Sequence, residues 1–291
     1  MAYESSAPAF GRIATPRDHI VDRLIAERAP RLAASPAWPA IRPPLYAILD
    51  YGKARRMADA IAPLSGRAAL EFVSALLGVE VNCRGLERLP PSGRVIVVCN
   101  HPTGIADGVA VYDALKARRP DVTFYANADA HRVCPRFDEV LIPVEWVEAK
   151  RTRDRARTTL AMTRRAMEAE RPLVIFPAGR LARWRPLKGA SDPQGASSAF
   201  SVARKYDAPI LPVHVAGPPS RLFHFFHQFS GELRDMTLFH ELLNKRGKTF
   251  RLTVGPLVTP ADLPLDAAEA ARAMKVYVET CLASHPDRPF R

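Results

Sequence analysis

The segment that most narrows what this chain can become runs from Arg94 to Gly108, RVIVVCNHPTGIADG. Val95 to Cys99 is a short apolar, β-branched run, the pattern of a strand covered on both faces. The breakers Asn100-His101-Pro102-Thr103-Gly104 follow, and from Ile105 to Leu115 the pattern reads as a helix. This puts His101 and Asp107 at a strand-to-helix corner, the place where open α/β sheets gather their chemistry. A tight turn through Pro102 and Gly104 can fold the carboxylate back onto the imidazole. Asp107 would then hold one ring nitrogen protonated and leave the other to take a proton from a hydroxyl. The competing reading is structural: the Asn-His pair satisfies backbone groups at a strand end, and Asp107 caps the helix.

Downstream, strand-like and helix-like stretches alternate. Strands are expected at Val79–Arg84, 122–126, Leu141–Glu145, Pro172–Phe176, Pro209–Val215 and Phe250–Val254. The expected fold is therefore α/β, a mainly parallel central sheet flanked by helices, with an N-terminal helical arm. The arm and its amphipathic helices take residues 1–78, and the α/β domain 79–291. Prolines punctuate the first 40 residues, and 44–77 carries leucines at helical spacing with Lys53, Arg55, Arg56 and Arg67 on other positions. Such a stretch can pack on the sheet or lie in a membrane interface.

A second corner follows the strand ending at Phe176. Gly179 would let backbone N–H groups approach an anion or a developing oxyanion. Arg180 and Arg183 stand behind it, and a guanidinium suits phosphate or carboxylate. Residues 187–196 form a Gly/Ser loop able to close over the site. The aromatics of 219–229 are read as a hydrophobic lining, and 239–248 as a helix end with basic residues and a Gly cap.

Composition limits the partners. With 42 Lys and Arg against 30 Asp and Glu, the 291-residue chain has a net charge of +12, which favours an anionic partner. Nucleic acid, an anionic bilayer and an acidic carrier protein all fit. Few aromatics outside 219–229 and no nucleic-acid motif argue against the first, and a non-catalytic basic module remains the alternative to an enzyme. No apolar run is long enough to span a bilayer, and the N-terminus lacks signal-peptide character. The protein is expected in the cytoplasm, peripheral on the inner face of the cytoplasmic membrane. Its four scattered cysteines predict neither a disulfide framework nor a metal site.

Asn100-His101 with Asp107, Phe176-Pro177-Ala178-Gly179 after a strand, and Ile210-Leu211-Pro212-Val213 after a helix resemble, in order and spacing, the blocks of the glycerolipid acyltransferase family that includes 1-acylglycerol-3-phosphate acyltransferase. The Asn100-His101-Pro102-Thr103-Gly104 opening is closer to a hemolysin-like, lyso-ornithine-lipid acyltransferase branch. Five residues separate His101 from Asp107 instead of the common four, Ala178 replaces the usual Glu, and Arg180 follows Gly179. The Ala weakens the case for a glycerol-phosphate acceptor.

The resemblance implies transfer of a fatty acyl group from a thioester, on acyl carrier protein or coenzyme A, to a lysolipid hydroxyl, with His101 and Asp107 catalytic. Substrate contacts would fall to Asn100, Gly104, Pro177, Gly179, Arg180, Arg183 and, from a second block, Lys150, Arg151 and Arg153. No permanently bound cofactor is implied, the acyl thioester being a co-substrate, and no metal. Hydrolysis of the thioester, with water replacing the lipid hydroxyl, is the nearest alternative chemistry.

Overall fold

The computed structural model describes residues 18–145, 152–179, 183–185, 189–193 and 195–291, with backbone only at 183–185 and 189–191. Before the sheet come helices α1 (Ile20–Arg28), α2 (Pro30–Ala34), α3 (Trp38–Ile48), α4 (Tyr51–Ile61) and α5 (Gly66–Leu77). Their apolar faces turn inward: Val21, Leu24, Leu49, Met57, Ile61 and Leu77 are buried together with residues of the sheet. Ser65 caps α5 by accepting from the Ala68 N–H, and Gly78, at φ +49°, ends it. The helical residues of the arm thus share a core with the sheet, and the packing alternative accounts for most of their apolar side chains. Ile48 stays 55% exposed.

The chain then lays down β1 (Glu80–Arg84), β2 (Val95–Cys99), α6 (Ile105–Leu115), β3 (Thr123–Asn127), α7 (Asp129–Val133) and β4 (Leu141–Val144). After α8 (Arg153–Glu168) come β5 (Pro172–Ile175), the paired β6 (Arg183–Arg185) and β7 (Gly189–Ser191), α9 (Ser198–Lys205) and β8 (Ile210–Ala216). The remainder is α10 (Arg221–His227), α11 (Gly231–Met236), α12 (Leu238–Leu243), β9 (Thr249–Val254) and α13 (Ala267–Val276), the last running on into a π-helical turn at Tyr277–Cys281.

Seven of these strands form one sheet in the order β1-β9-β8-β2-β5-β3-β4. From β8 to β4 every pairing is parallel. β8 and β9 pair antiparallel, and β1 follows β9 in parallel, so the last two strands run the other way. β2 lies in the middle and is buried throughout. Its residues alternate: Val95, Val97 and Cys99 enter the layer shared with α6 and the arm, while Ile96 and Val98 enter the layer covered by α8, α9 and α13. The five parallel strands end on one edge, and the corner after β2 opens at its centre.

The start of α7 is fixed by Asn127 Oδ1 accepting from the Asp129 N–H. Two expectations need correction. Part of the 187–196 loop is the β7 half of an antiparallel hairpin. In the 239–248 segment the helix ends at Leu243 with Asn244 as its cap, ahead of Gly247, and Lys245 is buried and paired with Glu241 at 3.0 Å. Gly247, at φ +64°, donates its N–H to Leu77 O in α5.

Candidate active site

β2 ends against β8 through one side chain. Asn100 donates from Nδ2 to Val215 O at 2.9 Å and accepts the Val215 N–H on Oδ1 at 2.6 Å, so its amide does the work of a further backbone pair. The group expected at the substrate is therefore engaged by the neighbouring strand. It fixes where the chain leaves the sheet.

The next residue is His101, whose Nδ1 lies 3.0 Å from Asp107 Oδ2. Asp107 is fully buried on the first turn of α6. It also accepts the Thr103 N–H at 2.8 Å, the Gly104 N–H at 3.0 Å and the Thr103 hydroxyl at 2.5 Å. These contacts satisfy both oxygens of the buried carboxyl at the N-terminus of α6 and fix its orientation. Asp107 thus caps the helix and contacts the imidazole with the same group. Gly104 makes the turn at φ +90°, a conformation that disfavours any side chain.

With Nδ1–H directed at the carboxylate, Nε2 carries the lone pair. The His101 side chain keeps 15% exposure, and its ring centroid sits 4.6 Å from that of Phe176, at the end of β5. The ring is thus walled on one side and open on another. Cys99, two residues earlier at the end of β2, is buried and its thiol is pushed well up by loss of water, which disfavours the thiolate a nucleophile needs.

The second corner lies beside the first, since β2 and β5 pair directly. Gly179 has φ +59° and its own N–H donates to Phe176 O at 2.9 Å, so an anion at this turn would meet other N–H groups around Gly179. Pro177 O accepts the Ala196 N–H at 2.8 Å, and a Cβ on Gly195 would stand 2.7 Å from Pro177 Cβ. The chain after β7 therefore lies directly on the turn.

Of the basic residues, Arg153 is exposed at the start of α8, whose N-cap Thr152 follows β4. β4 is three strands from β2, about 14 Å at ordinary strand spacing. Lys150, Arg151 and Arg180 lie outside the described residues, as does the side chain of Arg183. Thr103, Phe176 and Asp192 were missed as site residues. Asp192 accepts the His101 N–H on Oδ2 at 2.8 Å. Thr103 stood inside the singled-out motif and could have been found there, but a lone Asp in a Gly/Ser loop carries no signal.

A mainly parallel sheet with a His-Asp pair at the carboxyl edge of its central strand defines a candidate active site. Residues 80–216 match the model of the family described as Acyltransferase. Two lyso-glycine lipid O-acyltransferases are similar to it. That of Phocaeicola vulgatus is 27% identical over 65% of this chain and 66% of its own length. That of Bacteroides thetaiotaomicron is 26% identical over 65% of this chain and 68% of its own length. The first match thus spans just under two thirds of the relative. Among solved structures, the 1-acyl-sn-glycerophosphate acyltransferase PlsC of Thermotoga maritima aligns with a TM-score of 0.45 at 14% identity, over 78% of this chain and 83% of that one.

Proposed function

We propose that this protein transfers a fatty acyl group from an acyl thioester to the hydroxyl of a lysolipid, with His101 as general base and Asp107 as its orienting partner. The observation that carries the reading is the 3.0 Å contact between His101 Nδ1 and a carboxylate that is itself fully buried. Nε2 takes the hydroxyl proton as the alkoxide oxygen attacks the thioester carbonyl. The tetrahedral intermediate then expels the thiolate, which recovers the proton from the imidazolium. A thioester is already activated, so no acyl-enzyme is required.

The acceptor we favour is an amino-acid lipid lacking one acyl chain. The two lyso-glycine lipid relatives and Ala178 in place of a Glu support it. The donor is acyl carrier protein or coenzyme A, both anionic and both suited to a +12 chain. Access to the acceptor would come from an anionic membrane surface. No helix among the described residues is long and apolar enough to cross a membrane.

The test is purified protein with a labelled acyl thioester and a panel of lysolipids, lyso-glycine lipid and lysophosphatidic acid included, read by mass spectrometry. An acylated amino-acid lipid is expected. Free fatty acid as the sole product, whatever lipid is offered, would replace the transferase with a thioesterase.

A further inference from the structure

The ring of His101 is held by Asp107, but its backbone is held from elsewhere. The His101 N–H points to the opposite side of the turn and donates to Asp192 Oδ2 at 2.8 Å. Asp192 in turn donates its own N–H to Glu279 Oε1 at 3.2 Å. Glu279 lies in the π-helical turn that continues α13 and accepts from Lys275 Nζ at 2.6 Å on its other oxygen. A π turn adds a residue to the helical repeat and re-aims its side chains, a device often found near functional sites. Here it turns Glu279 toward the loop.

These residues border a narrow pocket with Asn100, Pro177 and Met274, whose space of about 20 Å³ suits a single water. It lies on the α13 side of the sheet, behind the corner that carries the imidazole. We propose that Asp192, braced by Glu279, is a positioning residue that fixes the backbone of His101 and so ties the orientation of the imidazole to the loop after β7 and to the C-terminal helix. The assignment rests on His101 being the base. A base displaced by about 1 Å can lose on the order of 10²-fold in rate, so a strut on its backbone bears on turnover more than on binding.

Asp192→Ala removes the acceptor, whereas Asp192→Asn keeps an oxygen in its place. The strut predicts that Asp192→Ala lowers kcat by about 10- to 100-fold with KM within about threefold, and that Asp192→Asn restores kcat to within about threefold of the parent. It also predicts a shifted ¹⁵N imidazole resonance for His101 in Asp192→Ala and an unshifted one in Asp192→Asn. That spectrum is independent of acyl transfer. A parent protein without transferase activity would therefore sink the functional reading while the strut was still tested.

Should Asp192→Ala not fold, Glu279→Ala removes only the brace, and must still lower kcat and move the resonance while the melting temperature holds. A folded Asp192→Ala, or failing that a folded Glu279→Ala, with parental kcat and an unmoved His101 resonance would overturn the proposal.

Discussion

At the scale of single residues the controlling fact is that Asp107 accepts four hydrogen bonds from within its own turn while having no contact with water. Exchanging one carboxylate oxygen for an amide NH2 would set a donor against the donors of Thr103, Gly104 and His101. Asp107→Asn is therefore expected to lower kcat by about 10³-fold or more, through loss of the proper tautomer, and to lower the melting temperature as well. His101→Ala should abolish transfer equally while leaving lysolipid binding in place. Steady-state kinetics with thermal melts and lipid titration would separate the two.

Asp192 responds differently. Loss of water around its carboxyl, opposed by His101 and reinforced by Glu279 and Asp107, pushes its pKa up to about 7. An acid that binds its proton more tightly folded than unfolded makes the protein lose stability as pH rises from the unfolded value near 4 to about 7, and by no more with further rise. The loss is a few kcal/mol at most. Asp192→Asn removes the titration, so its melting temperature should exceed the parent's at pH 8 and converge with it near pH 4. Parallel melting curves across that range would contradict the assignment.

At the scale of elements, the hinge between the site and its surroundings is the run from β8 into α10 and α12. Gly217 leaves β8 so close to the site that a Cβ there would meet Thr103 Cγ2 at 2.7 Å. α10 is then secured by Glu241 in α12, which accepts the Phe223 N–H at 3.2 Å and pairs with Lys245, both charged side chains being only 2% exposed. Removing one partner leaves the other buried and uncompensated. Lys245→Ala should cost about 3–5 kcal/mol, measurable by urea denaturation, and Glu241→Gln with Lys245→Met should recover most of it.

This pair also shows what a sequence does not carry. The burial of Lys245 is not legible because a letter carries none, and nothing local predicts that Glu241 will sit beside it. The reversal at β9 was equally silent, since strand direction is set by long-range pairing and β9 has the same alternation either way. β2 and the His101 corner were legible because an all-apolar run, a cluster of breakers and an acid at the third helical position each have a local cause. The pairing of Asn100 with Val215 was not legible, because the two lie 115 residues apart.

For the whole molecule the question is how the proposed lipid acceptor would reach His101 at one edge of the sheet. The parallel strands deliver their carboxyl ends to that edge, and α10 begins just beyond the end of β8 on the same side. The 219–229 stretch does not form a uniform lining. Phe223 is buried and Phe226 packs on the core, whereas Phe225 and Phe229, their rings 5.1 Å apart, are 54% and 70% exposed. Arg221, at the head of the same helix, is exposed.

Two aromatic rings beside a cation, on a chain of net charge +12, suit the boundary of an anionic bilayer, where burial of each ring contributes on the order of 1–2 kcal/mol and each nearby basic residue about 1 kcal/mol. Replacing both Phe225 and Phe229 with Ser should therefore weaken binding to vesicles containing anionic lipid by about 10- to 100-fold, read by co-sedimentation. Transfer to a lysolipid presented in detergent micelles should stay near the parental rate, because neither ring belongs to the His101 corner. Raising the salt should weaken the parent's binding to anionic vesicles while the defect of the variant persists, since apolar burial is not screened. Undiminished vesicle binding by the double variant would move the docking face elsewhere, with Ile48 in the N-terminal arm the next apolar residue to change.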